Sequence, residues 1–132
     1  MSFNAQEIFA NLAEKEKIKG HHSPEGQAIR TLSRALHGWS SGNLAGADVI
    51  VLCNQAVEDW LKARLNVSPW STIEITQLLA SADAKHLLTP VEADRLQRVA
   101  SLRSRVGQQT APVTDIEAAL ECCIQIVEKR WS

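Results

Sequence analysis

The stretch LAGADVIVLCNQAVEDWLKARL, residues Leu44–Leu65, carries the longest and most apolar helical pattern of the chain. Its apolar residues recur at the three- and four-residue spacing that places side chains on one face of an α-helix. This face comprises Val49, Leu52, Cys53, Ala56, Trp60 and Ala63. No alternating pattern long enough for a useful β-strand occurs in the sequence, so we predict an all-α fold built around this helix.

Five further segments carry helical spacing or a helix-starting signal. They are a short first helix around Ile8 and Leu12, a second with Ile29, Leu32, Leu36 and Trp39, a short helix from Thr72 to about Ala82, a helix from Pro90 to near Gly107, and a last helix from Asp115 to Trp131. Short connections between helices favour antiparallel packing. We therefore predict one domain over residues 1–132, an antiparallel four-helix bundle with a short extra N-terminal helix.

Helix starts are predicted where Ser, Thr or Asn is followed three positions later by Glu, because each side chain can accept a hydrogen bond from the other residue's backbone N–H. The pattern occurs at Asn4–Glu7, Ser71–Glu74, Thr89–Glu92 and Thr114–Glu117. Proline follows Ser23 and Thr89, and proline suits the first helical position. Pro69 indicates a break in the helical pattern around residues 66–71, since the residue before a proline is pushed away from helical geometry.

The composition excludes several broad classes of protein. The chain has 14 Lys and Arg against 15 Asp and Glu, a formal charge of -1, so its surface as a whole does not attract polyanions or anionic membranes. No apolar segment is long enough to span a bilayer and the N-terminus does not resemble a signal peptide, which favours a cytoplasmic location and no membrane partner. The three cysteines are expected to be reduced and to fill the core.

Arg103 stands out in the helix that follows residue 90. With about 100° between successive residues, Leu96 and Val99 fall on the same side of this helix as Arg103, whereas Arg98 and Arg105 project from the opposite side. A buried guanidinium needs partners. Arg103 is therefore expected either to reach the carbonyls at the end of its helix or to open onto a groove.

Two segments resemble the HEPN superfamily. CNQAVEDWLKARL (Cys53–Leu65) resembles the long second bundle helix of that family, with its Q-A-x-E-x-x-L-K-A-x-L pattern. LRSRVGQQTAPVTDIEAALECCIQIVEKRW (Leu102–Trp131) resembles the closing section, an L-R-N-x-x-x-H segment followed by a last amphipathic helix. Together with residues 32–44, the resemblance covers about two-thirds of the chain. It implies a four-helix bundle that is often dimeric and whose catalytic members are metal-independent ribonucleases.

The catalytic motif of such relatives is Arg, four to six residues, then His. Arg103 and Ser104 match its first part, but the positions at which the histidine would stand hold Gln108, Gln109 and Thr110. An imidazole can exchange a proton near neutral pH, whereas a carboxamide cannot. The resemblance therefore implies a degenerate site without a catalytic residue, in which Arg103, Ser104 and Gln108 are candidates for binding a ligand.

Other patterns in the sequence indicate ordinary structural roles. The adjacent His21 and His22 have no further ligands at a suitable spacing, so no metal or other cofactor is predicted. Glu58 and Lys62 form an i, i+4 pair expected at the surface. The four arginines between residues 95 and 105 are expected to form a solvated helix face, which leaves RNA or nucleotide binding a weaker hypothesis.

The functional prediction is a non-catalytic interaction or ligand-binding module, expected to be homodimeric. The resemblance also implies a partner protein such as a nucleotidyltransferase, or membership of a toxin-antitoxin system. The alternative is a metal-independent ribonuclease that uses Arg103 with a non-standard or partner-supplied base. A third reading is a plain helical adaptor. Trp70 and Trp131 could contribute to an interface or close the ends of the bundle.

Overall fold

The computed structural model describes residues 5–20, 22–68, 70–84, 87–105 and 112–130. These ranges form helices and no strand, which confirms the all-α prediction for the described residues. The helices are α1 (Ala5–Lys19), α2 (Pro24–Ser41), α3 (Gly46–Arg64), α4 (Ile75–Ala84), α5 (Pro90–Arg105) and α6 (Val113–Arg130). Among these helices, none combines the length and apolar character needed to cross a membrane.

The start of α2 follows the sequence signal closely. Ser23 caps the helix because its Oγ accepts a hydrogen bond from the Gly26 N–H at 2.9 Å, and Pro24 takes the first helical position. The helix ends at Gly42, whose φ of 76° lies in the left-handed region that glycine adopts without steric strain. Local sequence therefore determines both ends of α2.

The predicted reciprocal cap at the start of α5 is confirmed. The Thr89 N–H donates to Glu92 Oε1 at 2.9 Å, and the Glu92 N–H donates to Thr89 Oγ1 at 3.1 Å. These two bonds satisfy backbone donors that the first turn of a helix leaves without partners. They fix the point at which the chain enters α5.

Two of the predicted caps are wrong. At α4 the helix begins after Glu74 rather than Ser71, and the Glu74 N–H donates to Gln77 Oε1 at 3.2 Å. At α6 the helix begins at Val113, one residue before Thr114, because Pro112 O accepts the first backbone hydrogen bonds. The Asn4–Glu7 pair lies partly outside the described residues.

Helix α3 lies at the centre of the fold. It packs against α2, α4, α5 and α6, while α2 also contacts α1 and α6, and α5 also contacts α4 and α6. One apolar cluster joins these helices, and the predicted core position of Trp60 is confirmed by its complete burial. Its largest fully buried members are Trp60, Leu12, Ile29, Leu32, Leu36, Ile50, Leu61, Leu78, Leu96, Leu120 and Ile124.

The cysteines are free thiols, and two of the three lie in the core. Cys53 and Cys123 are fully buried, whereas Cys122 is only half-buried. The thiol of Cys53 hydrogen-bonds Cys123 and, together with burial, raises the pKa of Cys123 well above its usual value. Burial raises the pKa of Cys122 to about 12. Cys122 and Cys123 are therefore in settings that do not favour a reactive thiolate at neutral pH.

Lys62 differs from its expected surface position. Its residue is only 5% exposed, and its Nζ lies 3.0 Å from Glu58 Oε1 and donates to Ser71 O at 2.9 Å. The segment between α3 and α4 brings this carbonyl to the lysine, and helical periodicity within α3 does not reveal that contact. The predicted ion pair with Glu58 is present, but the lysine is buried and also holds the segment between α3 and α4 through Ser71 O.

Candidate functional site

A groove of about 530 Å³ runs between α3, the residues just before and at the start of α4, and α5. We call it the α3–α5 groove. Arg103 and Ser104 line it on the α5 side, as do Gln97, Ala100 and Ser101. The rest of its wall consists of Asn54, Glu58, Thr72, Ile73, Glu74, Ile75 and Thr76.

Arg103 occupies an exposed position in the last turn of α5. Of the two expected environments, the open groove is the one found, and Arg103 makes no ion pair or hydrogen bond with any described residue. Its neighbour Ser104 donates from Oγ to Ser101 O at 2.8 Å. Gln108 lies outside the described residues. A guanidinium with five free donors can hold a carboxylate or phosphate through two parallel hydrogen bonds.

Asn54 lies on the α3 side of the same groove and is 3% exposed. Its Nδ2 donates to Ile50 O at 3.0 Å and to Val99 O at 3.1 Å, which fixes the orientation of the amide. Its Oδ1 is buried and has no donor among the described residues. A buried acceptor without a partner costs about 1–3 kcal/mol, so a donor from outside the chain would relieve this cost.

Two carboxylates add negative charge to the groove. Glu58 and Glu74 both line it, and Glu58 forms the ion pair with Lys62. Oxygen acceptors are therefore contributed from α3 and the start of α4, while the cation is contributed from α5. A ligand that matches this distribution carries N–H or O–H donors at one end and an anionic group at the other.

The described histidines lie away from Arg103. His37 is exposed, and its ring centroid is 5.5 Å from that of Phe9. His22 lies with Trp70 in a small pocket of about 110 Å³. His21 and His86 lie outside the described residues. Over the described ranges, no three His, Cys, Asp or Glu side chains lie close enough together to hold a metal ion.

A second, larger groove of about 710 Å³ separates α5 from α6, and we call it the α5–α6 groove. The arginines of α5 divide between the two sides of the helix. Arg95, Arg98 and Arg105 line the α5–α6 groove, whereas Arg103 lines the α3–α5 groove. This division agrees with the helical spacing, which predicts Arg98 and Arg105 on the side opposite Arg103, and all four side chains are exposed as expected.

Trp70 is 82% exposed in the segment between α3 and α4, and Trp131 lies outside the described residues. The sequence did not reveal the unsatisfied Oδ1 of Asn54 or the α5–α6 groove. A signal for Asn54 exists, because it is a polar residue within the apolar face that includes Ile50 and Val57. Comparisons of the chain with protein families, with curated proteins and with solved structures find no match.

Proposed function

We propose that this protein is a non-catalytic, HEPN-like ligand-binding module of the cytoplasm that acts as a homodimer and uses the α3–α5 groove. The observation that carries the proposal is that one groove is lined by Arg103, which is exposed, and by Asn54, whose Oδ1 is buried, and that neither group has a partner among the described residues. Both side chains lack a complementary group within the described chain. A ligand with an anionic group and a hydrogen-bond donor satisfies both.

The helix contacts support a HEPN-like four-helix bundle as the scaffold. Helix α2 contacts α3, α3 contacts α5, α5 contacts α6, and α6 contacts α2, so these four helices close a ring. Helix α1 packs on α2 outside this ring, as an extra N-terminal helix would. In this proposal α4 contributes one wall of the binding groove and does not belong to the bundle.

The spacing of the two groups indicates the size of the ligand. Asn54 contacts the carbonyl of Val99, and Arg103 follows Val99 by one helical turn, which is about 6 Å along the axis. A single phosphate or sulfate ion does not span that distance, whereas a phosphate joined to a donor-bearing ring does. RNA or a nucleotide has this chemistry. A nucleotidyltransferase partner or a toxin-antitoxin system is the setting that the resemblance adds to this proposal.

Ribonuclease activity is the second candidate, and one observation favours it. Glu58 and Glu74 line the groove that contains Arg103, and carboxylates can act as general bases in place of histidine. No described residue of the groove is a histidine. The carboxylates would therefore have to transfer the proton unless a partner supplies the base.

The test is binding and cleavage of mixed cellular RNA by the purified protein. Arg103→Ala is expected to weaken RNA binding by on the order of 10-fold to 100-fold, since a hydrogen bond to a charged group contributes about 1.5–3 kcal/mol. The matched control is Arg34→Ala, which removes an exposed arginine from α2 and should leave binding unchanged.

The same incubation separates the two candidate functions. The non-catalytic proposal expects intact RNA with both the parent protein and Arg103→Ala. Cleavage that disappears in Arg103→Ala would establish the ribonuclease instead, and Glu58→Gln and Glu74→Gln would then identify the base. RNA binding that is equal in the parent and in Arg103→Ala would overturn the assignment of this groove to RNA.

A further inference from the structure

The α5–α6 groove has walls of opposite charge. Its α5 wall contributes Arg95, Arg98 and Arg105, and its α6 wall contributes Asp115 and Glu121. Arg95 near the start of α5 lies close to Cys122 in the second half of α6, which corresponds to antiparallel packing and places the end of α5 beside the start of α6. The charge difference therefore runs across the groove along its whole length.

Three of these charges have no ion-pair partner among the described residues. Arg98 forms an exposed ion pair with Asp94 at 3.2 Å. Arg95, Arg105 and Asp115 form no ion pair with any described residue, and the one side-chain hydrogen bond of Arg105 goes to Ser101 O at 3.4 Å. Arg105 and Asp115 thus line the same end of the groove without pairing with each other.

The floor between the walls consists of small and apolar side chains. Val99 and Ala119 are buried, and Leu102 and Cys122 are half-buried. Ala118 is exposed beside them. Small residues on α6 allow another helix to approach closely over it.

A two-fold axis along the groove, parallel to α5 and α6, makes this surface self-complementary. Rotation by half a turn about that axis places α5 of one copy over α6 of the other and keeps each end of the groove over the same end of its mate. Arg105 of each copy then faces Asp115 of the other, and the remaining arginines face the side that carries Glu121. Because the axis is two-fold, each of these contacts between opposite charges occurs twice in the dimer.

We propose that the α5–α6 groove is the surface through which two copies of this chain associate, with reciprocal Arg105–Asp115 ion pairs at its rim and the small residues of α6 at its centre. The inference rests on the homodimer included in the proposed function and assigns that dimer a surface and a symmetry. It does not depend on what the α3–α5 groove binds.

Charge reversal tests the proposal, with sedimentation equilibrium over a wide concentration range as the measurement. Arg105→Asp and Asp115→Arg are each expected to weaken self-association by on the order of 100-fold, because each creates two pairs of like charge. The double variant restores the pairs in reversed order and should dimerise again. An equimolar mixture of the two single variants should form a heterodimer, since each aspartate at position 105 or 115 of one variant then faces an arginine of the other.

The control reversal is Arg34→Asp on α2, which should dimerise like the parent. Circular dichroism checks that each variant folds. Ala118→Arg provides a second disruption at an exposed, uncharged position in the second turn of α6. It should also give monomers.

A parent protein that stays monomeric at every concentration overturns the proposal, as does a dimer that withstands both reversals and Ala118→Arg. Failure of the double variant and of the mixture to restore the dimer overturns the reciprocal pairing. RNA binding by Arg103 is measured in the same variants. Arg103-dependent binding without a dimer would reject this surface alone, and a dimer without such binding would reject the groove ligand alone.

Discussion

Asn54 combines a structural position with an unsatisfied atom. Replacement by leucine keeps a similar volume and removes the unpaired Oδ1, and Ile50 O and Val99 O remain inside helices α3 and α5. We therefore expect Asn54→Leu to leave the free energy of unfolding within about 1 kcal/mol of the parent value or to raise it. The variant should nevertheless lose RNA affinity as Arg103→Ala does.

Urea denaturation and RNA binding together decide the role of Asn54. If Asn54→Leu loses more than about 2 kcal/mol of stability, the two hydrogen bonds of Nδ2 outweigh the unsatisfied oxygen and the residue is structural. Buried polar atoms normally have hydrogen-bond partners, and exceptions are expected at functional sites. A stable Asn54→Leu variant that binds RNA weakly would place Asn54 among these exceptions.

A second prediction concerns Lys62, whose side chain is buried and paired. Lys62→Met removes the partner of Glu58 and the donor to Ser71 O, so we expect a loss of about 2 kcal/mol in the free energy of unfolding. The matched variant is Asp94→Ala, which breaks the exposed i, i+4 pair with Arg98 and should cost less than about 1 kcal/mol. Equal losses in urea denaturation would show that burial does not distinguish the two pairs.

The helix starts show how one sequence pattern gives two structures. Thr89 and Thr114 both precede a glutamate by three residues, yet only Thr89 caps its helix. We expect Thr89→Ala to cost about 1 kcal/mol of stability, and Thr114→Ala, a change inside an exposed first turn, to cost a few tenths of a kcal/mol. Thermal unfolding of the pair measures the difference, and a reversed order would contradict the assigned start of α6.

The reason for the different starts lies in the residues around each threonine. Pro90 follows Thr89 directly and occupies the first helical position, which leaves Thr89 as the cap. At α6 the proline precedes the threonine by two positions, so the helix is already under way at Thr114. Glu117 instead accepts a hydrogen bond from Trp39 Nε1 at 3.3 Å, a tertiary contact that the local sequence does not encode.

For the molecule as a whole, apolar spacing and helix-starting signals predict the helical class and the approximate position of each helix in the described residues. It could not predict which helices touch, because the apolar face of α3 is equally suited to any partner. The site shows the same limit. Periodicity placed Arg103 beside Leu96 and Val99, but only the tertiary structure shows that the last turn of α5 borders a groove instead of the core.

The environment of Asn54 was likewise beyond prediction from sequence. Asn54 lies beside the buried Ile50 and Val57 on α3, but the second carbonyl that it contacts belongs to a residue 45 positions later in the chain. The charges of the α5–α6 groove depend on the antiparallel placement of two helices. Arginine spacing along α5 predicts that Arg98 and Arg105 lie opposite Arg103, but it does not show which helix faces them.

Helix α5 is the common wall of both grooves, and Ser101 borders each of them. A ligand that shifts or rotates this helix on entering one groove necessarily alters the width of the other. The two equilibria are then thermodynamically linked, so any factor by which occupancy changes self-association is the factor by which self-association changes affinity. Under the two proposals, α5 therefore links ligand binding to self-association through its own position.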